Sequence, residues 1–137
     1  MVKSIGKKKI NVSVFISGRG SNLKSLINFS RKSSQIRIKL VISNNKNAKG
    51  LDFANKNNIK FKIINYKNKN LAENKILKYL KKNNVKLILL AGFMKILSKK
   101  FTDRFKNRIL NIHPSLLPKY KGLETHKKVL KNKENYT

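Results

Sequence analysis

The sequence predicts an α/β protein in which helices cover both faces of an open, mostly parallel sheet. Two observations predict this class. Short runs rich in β-branched residues alternate along the chain with segments whose apolar residues recur at helical spacing. The 137 residues, 39% of them hydrophobic, suit a single domain that can form a compact core.

The first half of the chain contains two strands, each followed by a helix. Residues 10–17 (INVSVFIS) and 36–43 (IRIKLVIS) read as buried strands. After the first strand, Ser21 or Asn22 is suited to cap a helix that begins near Asn22. Its apolar stripe is expected to contain Leu23, Leu26, Ile27 and, as a further candidate, Phe29. A short helix from about residue 49 to 57 is expected to turn Leu51, Phe53 and Ala54 inward.

The second half repeats this alternation. Residues 61–64, 85–91 and 108–113 are expected to be strands. The intervening lysine-rich helix has an apolar stripe made of Leu71, Ile76, Leu77 and Leu80. A shorter helix is expected to end near Phe105, before the fifth strand. Strands and helices in this order form parallel β-α-β units, so the sheet is expected to be Rossmann-like.

Three segments are poorly explained by packing alone, and all three follow predicted strands. They are residues 18–22, 92–97 and 111–118. Ligands of open parallel sheets bind beyond the carboxyl ends of the strands. These segments are therefore the candidates for a functional site.

The composition excludes several classes of protein. The chain has no cysteine, which rules out disulfides and thiol chemistry and is compatible with the cytoplasm. No apolar run is long enough for a membrane-spanning helix, and a secretory signal is not expected. The net charge of +29 keeps a nucleic-acid-binding module open as an alternative. That alternative is disfavoured because only 5 of the 34 basic residues are arginine and the lysines are spread throughout.

The first candidate segment, Gly18-Arg19-Gly20-Ser21-Asn22, joins a strand to a helix. Free backbone N–H groups and the positive end of a helix can hold a phosphate there. A nicotinamide site is disfavoured, because Leu23 replaces the third glycine of the dinucleotide pattern. From these residues alone, a phosphate site and a plain capped turn are about equally favoured.

The last candidate segment contains an amide and an imidazole two positions apart. In a strand, Asn111 and His113 would face the same side while Ile112 enters the core. An imidazole can move protons, and an amide N–H can stabilise an oxyanion. A structural histidine beside a turn-forming asparagine is the alternative. His126 is expected to have a surface or packing role, and two histidines with few carboxylates support a metal site only weakly.

The middle candidate segment, residues 92–97, follows the most apolar strand. Taken alone, it reads as strand, turn and core. An exposed apolar loop at a strand end could also form a wall against a flat heterocycle.

Together, ISGRGSN, LAGFMKILS and NIHPSLLPKYKG resemble the folate-dependent phosphoribosylglycinamide formyltransferases of purine biosynthesis. The resemblance runs from Ile10 over nearly the whole chain. It implies transfer of a formyl group from 10-formyltetrahydrofolate to the amine of glycinamide ribonucleotide, without a metal. It also implies that Gly20, Ser21 and Asn22 bind the substrate phosphate, that Met94, Lys95, Ile96 and Leu97 line the folate site, and that Asn111 and His113 are catalytic.

Two related folate-dependent activities, formyltetrahydrofolate deformylase and methionyl-tRNA formyltransferase, are the alternatives within the wider family. Folate deformylases typically have a second histidine where this chain has Pro114, and methionyl-tRNA formyltransferases lack this form of glycine loop. Some relatives of the favoured family have histidine at position 124, whereas this chain has Glu124. The family's catalytic aspartate, last strands and long final helix are expected beyond Thr137. By this resemblance, residues 1–137 form one C-terminally incomplete formyltransferase domain that alone is expected to be poorly active.

Overall fold

The structure, a computed structural model, describes residues 8–112. This range contains five strands and four helices in alternation. The strands are β1 (Ile10–Ile16), β2 (Ile36–Ser43), β3 (Lys60–Ile63), β4 (Leu87–Leu90) and β5 (Ile109–Asn111). The helices are α1 (Ser21–Lys32), α2 (Gly50–Lys56), α3 (Lys69–Lys82) and α4 (Lys99–Arg104). The predicted order of elements is confirmed within this range, and only the ends of the elements differ.

The sheet is parallel throughout the described residues, with the order β3-β2-β1-β4-β5. The chain builds the sheet outward from β1 through β2 to β3 and then crosses back to β4 and β5. The winding therefore reverses between β1 and β4. The carboxyl ends at such a reversal form the ligand crevice of open parallel sheets. The turns that follow β1 and β4 lie at this crevice.

Helices cover both faces of the sheet, as predicted. On one face, α1 and α2 pack Leu23, Ile27, Leu51 and Ala54 onto alternate residues of β1. On the other face, α3 and α4 contribute Ala72, Ile76, Leu80 and Phe101 to a second apolar cluster. The two clusters use the alternation of a strand, because Val12, Val14 and Ile16 belong to the first and Phe15 to the second.

Strand β2 contains one residue more than its pairing with β1 requires. Val12 pairs with Ile38, but the next residue, Ser13, pairs with Leu40. Lys39 is therefore unpaired, as in a β-bulge. After the bulge, Leu40 and Ile38 face opposite sides of the sheet.

Three apolar residues expected inside are exposed instead. Phe29 is 60% exposed and Leu71 59%, because neither lies on the buried side of its helix. Ile112 is 42% exposed and belongs to neither apolar cluster. It follows the short strand β5, which is paired only with β4 in the described part of the chain. The prediction that Ile112 enters the core is therefore wrong.

Candidate active site

The turn after β1 is shaped by two glycines in close contact. Gly20 has φ +80°, a conformation that side chains with a Cβ rarely adopt. A Cβ on Gly50 would lie 2.9 Å from Gly20 Cα and 2.7 Å from Ile16 Cδ1. The Gly50 N–H also donates to the Gly18 carbonyl at 3.0 Å. The first turn of α2 therefore supports the glycine turn from the side.

Gly50 was missed by the sequence analysis. A glycine is unfavourable inside a helix, and its presence in the first turn of α2 was the available signal. Its partner Gly20 lies 30 positions away in sequence, however, so the pairing itself is not readable from local pattern.

The N-terminus of α1 is open to an anion. Gly20, not Ser21 or Asn22, is the capping residue, and no side chain caps the helix. The predicted cap is therefore wrong by one or two residues, because the left-handed Gly20 already directs the chain into the helix. Within the described residues, the N–H groups of Ser21, Asn22 and Leu23 have no hydrogen-bond acceptor. Such free groups at the positive end of a helix can hold a phosphate.

A serine at the end of β1 connects three loops at the crevice. The Ser17 hydroxyl donates to the side-chain oxygen of Asn44 and accepts from the Met94 N–H at 2.8 Å. The side-chain amide of Asn45 donates to the Ser17 carbonyl at 3.1 Å. The turns after β1, β2 and β4 are thereby held together. Sequence analysis missed Ser17, Asn44 and Asn45, although two asparagines directly after a strand are a visible signal.

The 92–98 loop after β4 packs against the core on one side and is exposed on the other. Gly92 has φ +75° and turns the chain out of the strand. The Phe93 ring packs edge to face against Phe15, at 5.3 Å between centroids, and against Tyr66, at 5.7 Å. The Met94 and Ile96 side chains remain exposed. The loop therefore presents apolar side chains on a fixed backbone.

A cleft of about 420 Å³ lies beside this loop. It is lined by parts of β4, α4 and β5 together with Lys95, Ile96, Leu97 and Asn111. The structure thus brings three of the four predicted folate residues to the same cleft as the predicted catalytic amide. Met94 does not line the cleft, but its N–H binds Ser17.

The glycine turn after β1 and the cleft are separate surfaces. Gly20, Ser21 and Asn22 do not line the cleft and connect to the 92–98 loop by way of Ser17. His113 lies outside the described residues, as do Pro114, Glu124 and His126. The fifth strand was predicted to reach His113, whereas β5 ends at Asn111.

The cleft carries positive charge in an apolar setting. Lys95 and Lys106 line it alongside Phe93, Ile96 and Leu97, and none of its lining residues within the range 8–112 is a carboxylate. Among residues 8–112, no group of three or more acidic or histidine side chains could hold a metal ion. No helix in that range is long and apolar enough to cross a membrane. The arrangement suits an anionic molecule with a flat apolar part.

Comparisons with known proteins show which family the chain belongs to. The family model described as "Formyl transferase" matches residues 10–137. Phosphoribosylglycinamide formyltransferase of Escherichia coli is 37% identical over 128 residues, which are 90% of this chain and 60% of that protein. The trifunctional purine biosynthetic protein adenosine-3 of Gallus gallus is 42% identical over 130 residues, or 92% of this chain and 13% of that protein.

Solved structures show the same likeness. The crystal structure of phosphoribosylglycinamide formyltransferase from Anaplasma phagocytophilum matches with a TM-score of 0.84 and 40% identity. The match covers 91% of this chain and 59% of that one. A second such enzyme, from Coxiella burnetii, gives a TM-score of 0.84 at 40% identity, with 93% and 62% covered. This chain thus spans about 60% of its single-function relatives, and it belongs to the formyl transferase family.

Proposed function

We propose that the protein takes part in purine biosynthesis by transferring a formyl group from 10-formyltetrahydrofolate to the amine of glycinamide ribonucleotide. One observation carries the proposal. The turn after β1, with its uncapped helix N-terminus, is joined through Ser17 to the loop after β4, and this loop lines an apolar cleft together with Asn111. Two different ligands can therefore meet there, as a transfer reaction requires.

The ribonucleotide is the ligand proposed for the turn after β1. Its phosphate would accept hydrogen bonds from the free N–H groups at the start of α1 and from the Ser21 hydroxyl. Gly20 lets the backbone approach the phosphate closely, and Asn22 adds a second polar side chain. The first turn of α1 contains no acidic residue that would repel the phosphate.

The folate is the ligand proposed for the cleft beside the 92–98 loop. The apolar side chains of Ile96 and Leu97, which line the cleft, would pack against its flat ring system, with the exposed Met94 beside the cleft on the same loop. Main-chain groups of the loop would bond to the ring edges. Lys95 would add an attraction for the glutamate carboxylates of the folate. The folate is the co-substrate, and the reaction requires no metal.

The chemistry is proposed for Asn111 and His113. The amine nitrogen of the ribonucleotide attacks the formyl carbon, and the side-chain amide of Asn111 and a protonated His113 stabilise the oxyanion that forms. The bond between the formyl carbon and the folate nitrogen then breaks. The proton lost by the amine passes to that nitrogen with the help of His113. The role of His113 rests on the Asn-Ile-His motif.

A cytoplasmic location belongs to the same proposal. It is supported by the cysteine-free composition, which needs no oxidising compartment, and by the family to which the chain belongs.

Replacing Ser21 by alanine is expected to weaken glycinamide ribonucleotide binding by about ten- to a hundredfold, because a hydrogen bond to a charged phosphate is lost. Binding of 5-formyltetrahydrofolate, a stable relative of the co-substrate, is expected to be unchanged. Both affinities can be measured by titration calorimetry on the purified chain.

Ser25→Ala is the matched control for Ser21→Ala. Ser25 is exposed one turn later on α1, and its hydroxyl donates only to the Ser21 carbonyl at 3.3 Å. This variant should bind both ligands like the wild type. Equal affinity of Ser21→Ala and the wild type for the ribonucleotide would instead indicate a folate enzyme with an unphosphorylated acceptor.

A further inference from the structure

A carboxylate on α3 is buried against the end of the 92–98 loop. Glu73 is 6% exposed and is one of 5 acidic residues in the whole chain. One of its oxygens accepts from the Ser98 N–H at 2.8 Å, and the other accepts from the Ser98 hydroxyl. Both oxygens are therefore bound to a single residue, which comes from a different element.

Burying the Glu73 carboxylate costs free energy unless its hydrogen bonds to Ser98 are kept. A buried ionised carboxylate needs strong partners, and cations are the usual ones. Within residues 8–112, no lysine or arginine lies within 4.0 Å of the Glu73 carboxylate, although the chain has 34 such residues. Ser98 supplies the partners instead. Moving Ser98 away would leave a buried charge unsatisfied, so the contact resists displacement of the loop.

Ser98 also binds the helix that follows the loop. Its hydroxyl also accepts from the Phe101 N–H at 3.1 Å and thereby caps α4. Since the Ser98 hydroxyl has one hydrogen and accepts from the helix, that hydrogen can only be the one it donates to Glu73. The end of the loop and the start of α4 are thus held by one hydrogen-bonded chain.

The surroundings of Glu73 reinforce the same segment. Burial, with a smaller contribution from the negative charge of Glu73, raises the pKa of Tyr66 above its usual range, so its phenol stays neutral. The Tyr66 ring packs against Phe93. The loop is therefore fixed at Phe93 by aromatic packing, at Met94 by Ser17, and at its end by Glu73.

We propose that Glu73 is a positioning residue, which holds the 92–98 loop in the conformation that forms the wall of the folate cleft. It does not line the cleft, and it acts through Ser98 on Lys95, Ile96 and Leu97. The inference rests on the proposed folate site. A change at Glu73 should therefore alter folate affinity and the amide exchange of the 92–98 loop. It should leave ribonucleotide affinity at the glycine turn unchanged.

Glu73→Gln tests this role with little change in shape. The glutamine amide can accept one hydrogen bond from Ser98, but its NH₂ then faces a second donor. We expect about a tenfold loss of affinity for 5-formyltetrahydrofolate and unchanged affinity for glycinamide ribonucleotide. Amide hydrogen exchange at Met94 and Ser98 should be at least about tenfold faster. Glu73→Asp, which keeps the charge, should restore part of both properties.

Asp103→Asn is the matched control, because it makes the same charge change at an exposed residue of α4 that pairs only with Lys99. It should leave folate affinity and loop exchange unchanged. If Glu73→Gln does not fold, Ser98→Ala removes the same contact from the other side. The positioning role is overturned if the folded variant retains wild-type exchange and folate affinity. Lack of folate binding by the wild type would instead refute the proposed function. Amide hydrogen exchange in the 92–98 loop would then still test the positioning role of Glu73.

Discussion

Replacing Gly20 by alanine is expected to destabilise the fold by about 2–4 kcal/mol. Part of this loss, about 1–2 kcal/mol, comes from forcing a residue with a Cβ into the left-handed conformation at φ +80°. The rest comes from a clash, because the new Cβ would press against the backbone of Gly50 at the start of α2. Urea denaturation followed by circular dichroism measures the change in free energy of unfolding.

Gly18→Ala is the control in the same turn. A Cβ on Gly18 meets nothing within 4 Å, and its φ is not positive. Its free energy of unfolding should stay within about 0.5 kcal/mol of the wild type. Similar stabilities of the two variants would contradict the close packing of Gly20 against α2. Loss of ribonucleotide affinity in a folded Gly20→Ala chain is also expected, since the backbone could no longer approach the phosphate as closely.

Replacing Phe15 by alanine is expected to cost about 3–5 kcal/mol, the usual range for removing a fully buried phenylalanine. Phe15 lies at the centre of the sheet beneath the 92–98 loop. Its ring contacts Phe93 edge to face and Phe101 at 6.4 Å between centroids. We therefore also expect a looser loop and weaker folate binding in whatever fraction remains folded. Thermal and urea unfolding measure the first effect, and calorimetry measures the second.

Phe29→Ala makes the identical change at a residue that is 60% exposed on α1. A change below about 0.5 kcal/mol is expected there. A loss at Phe15 as small as the one expected at Phe29 would show that Phe15 is not at the centre of the core.

The fold was predictable because its determinants are local. Each strand or helix carries its own period of apolar residues, and strict alternation of the two leaves a parallel sheet as the consistent arrangement. The ends of the elements were less accurate. Gly20 replaces the expected caps Ser21 and Asn22, since a left-handed glycine directs the chain into the helix without a side-chain cap.

The sequence predicts which segments form the site, but not the long-range contacts that hold those segments in place. Residues 18–22 and 92–97 follow neighbouring strands, so the rule for parallel sheets places them together. The contacts that hold these segments join residues far apart in sequence, such as Ser17 with Met94 and Glu73 with Ser98. No periodic pattern records such pairs.

The bulge in β2 bears on how the length of this strand can change. Without Lys39, Ile38 and Leu40 would be consecutive and would already face opposite sides, as the regular ladder requires. Every later core residue of β2 would keep its partner on β1. Loss of the single residue Lys39 can therefore be absorbed without turning any core side chain of β2 outward.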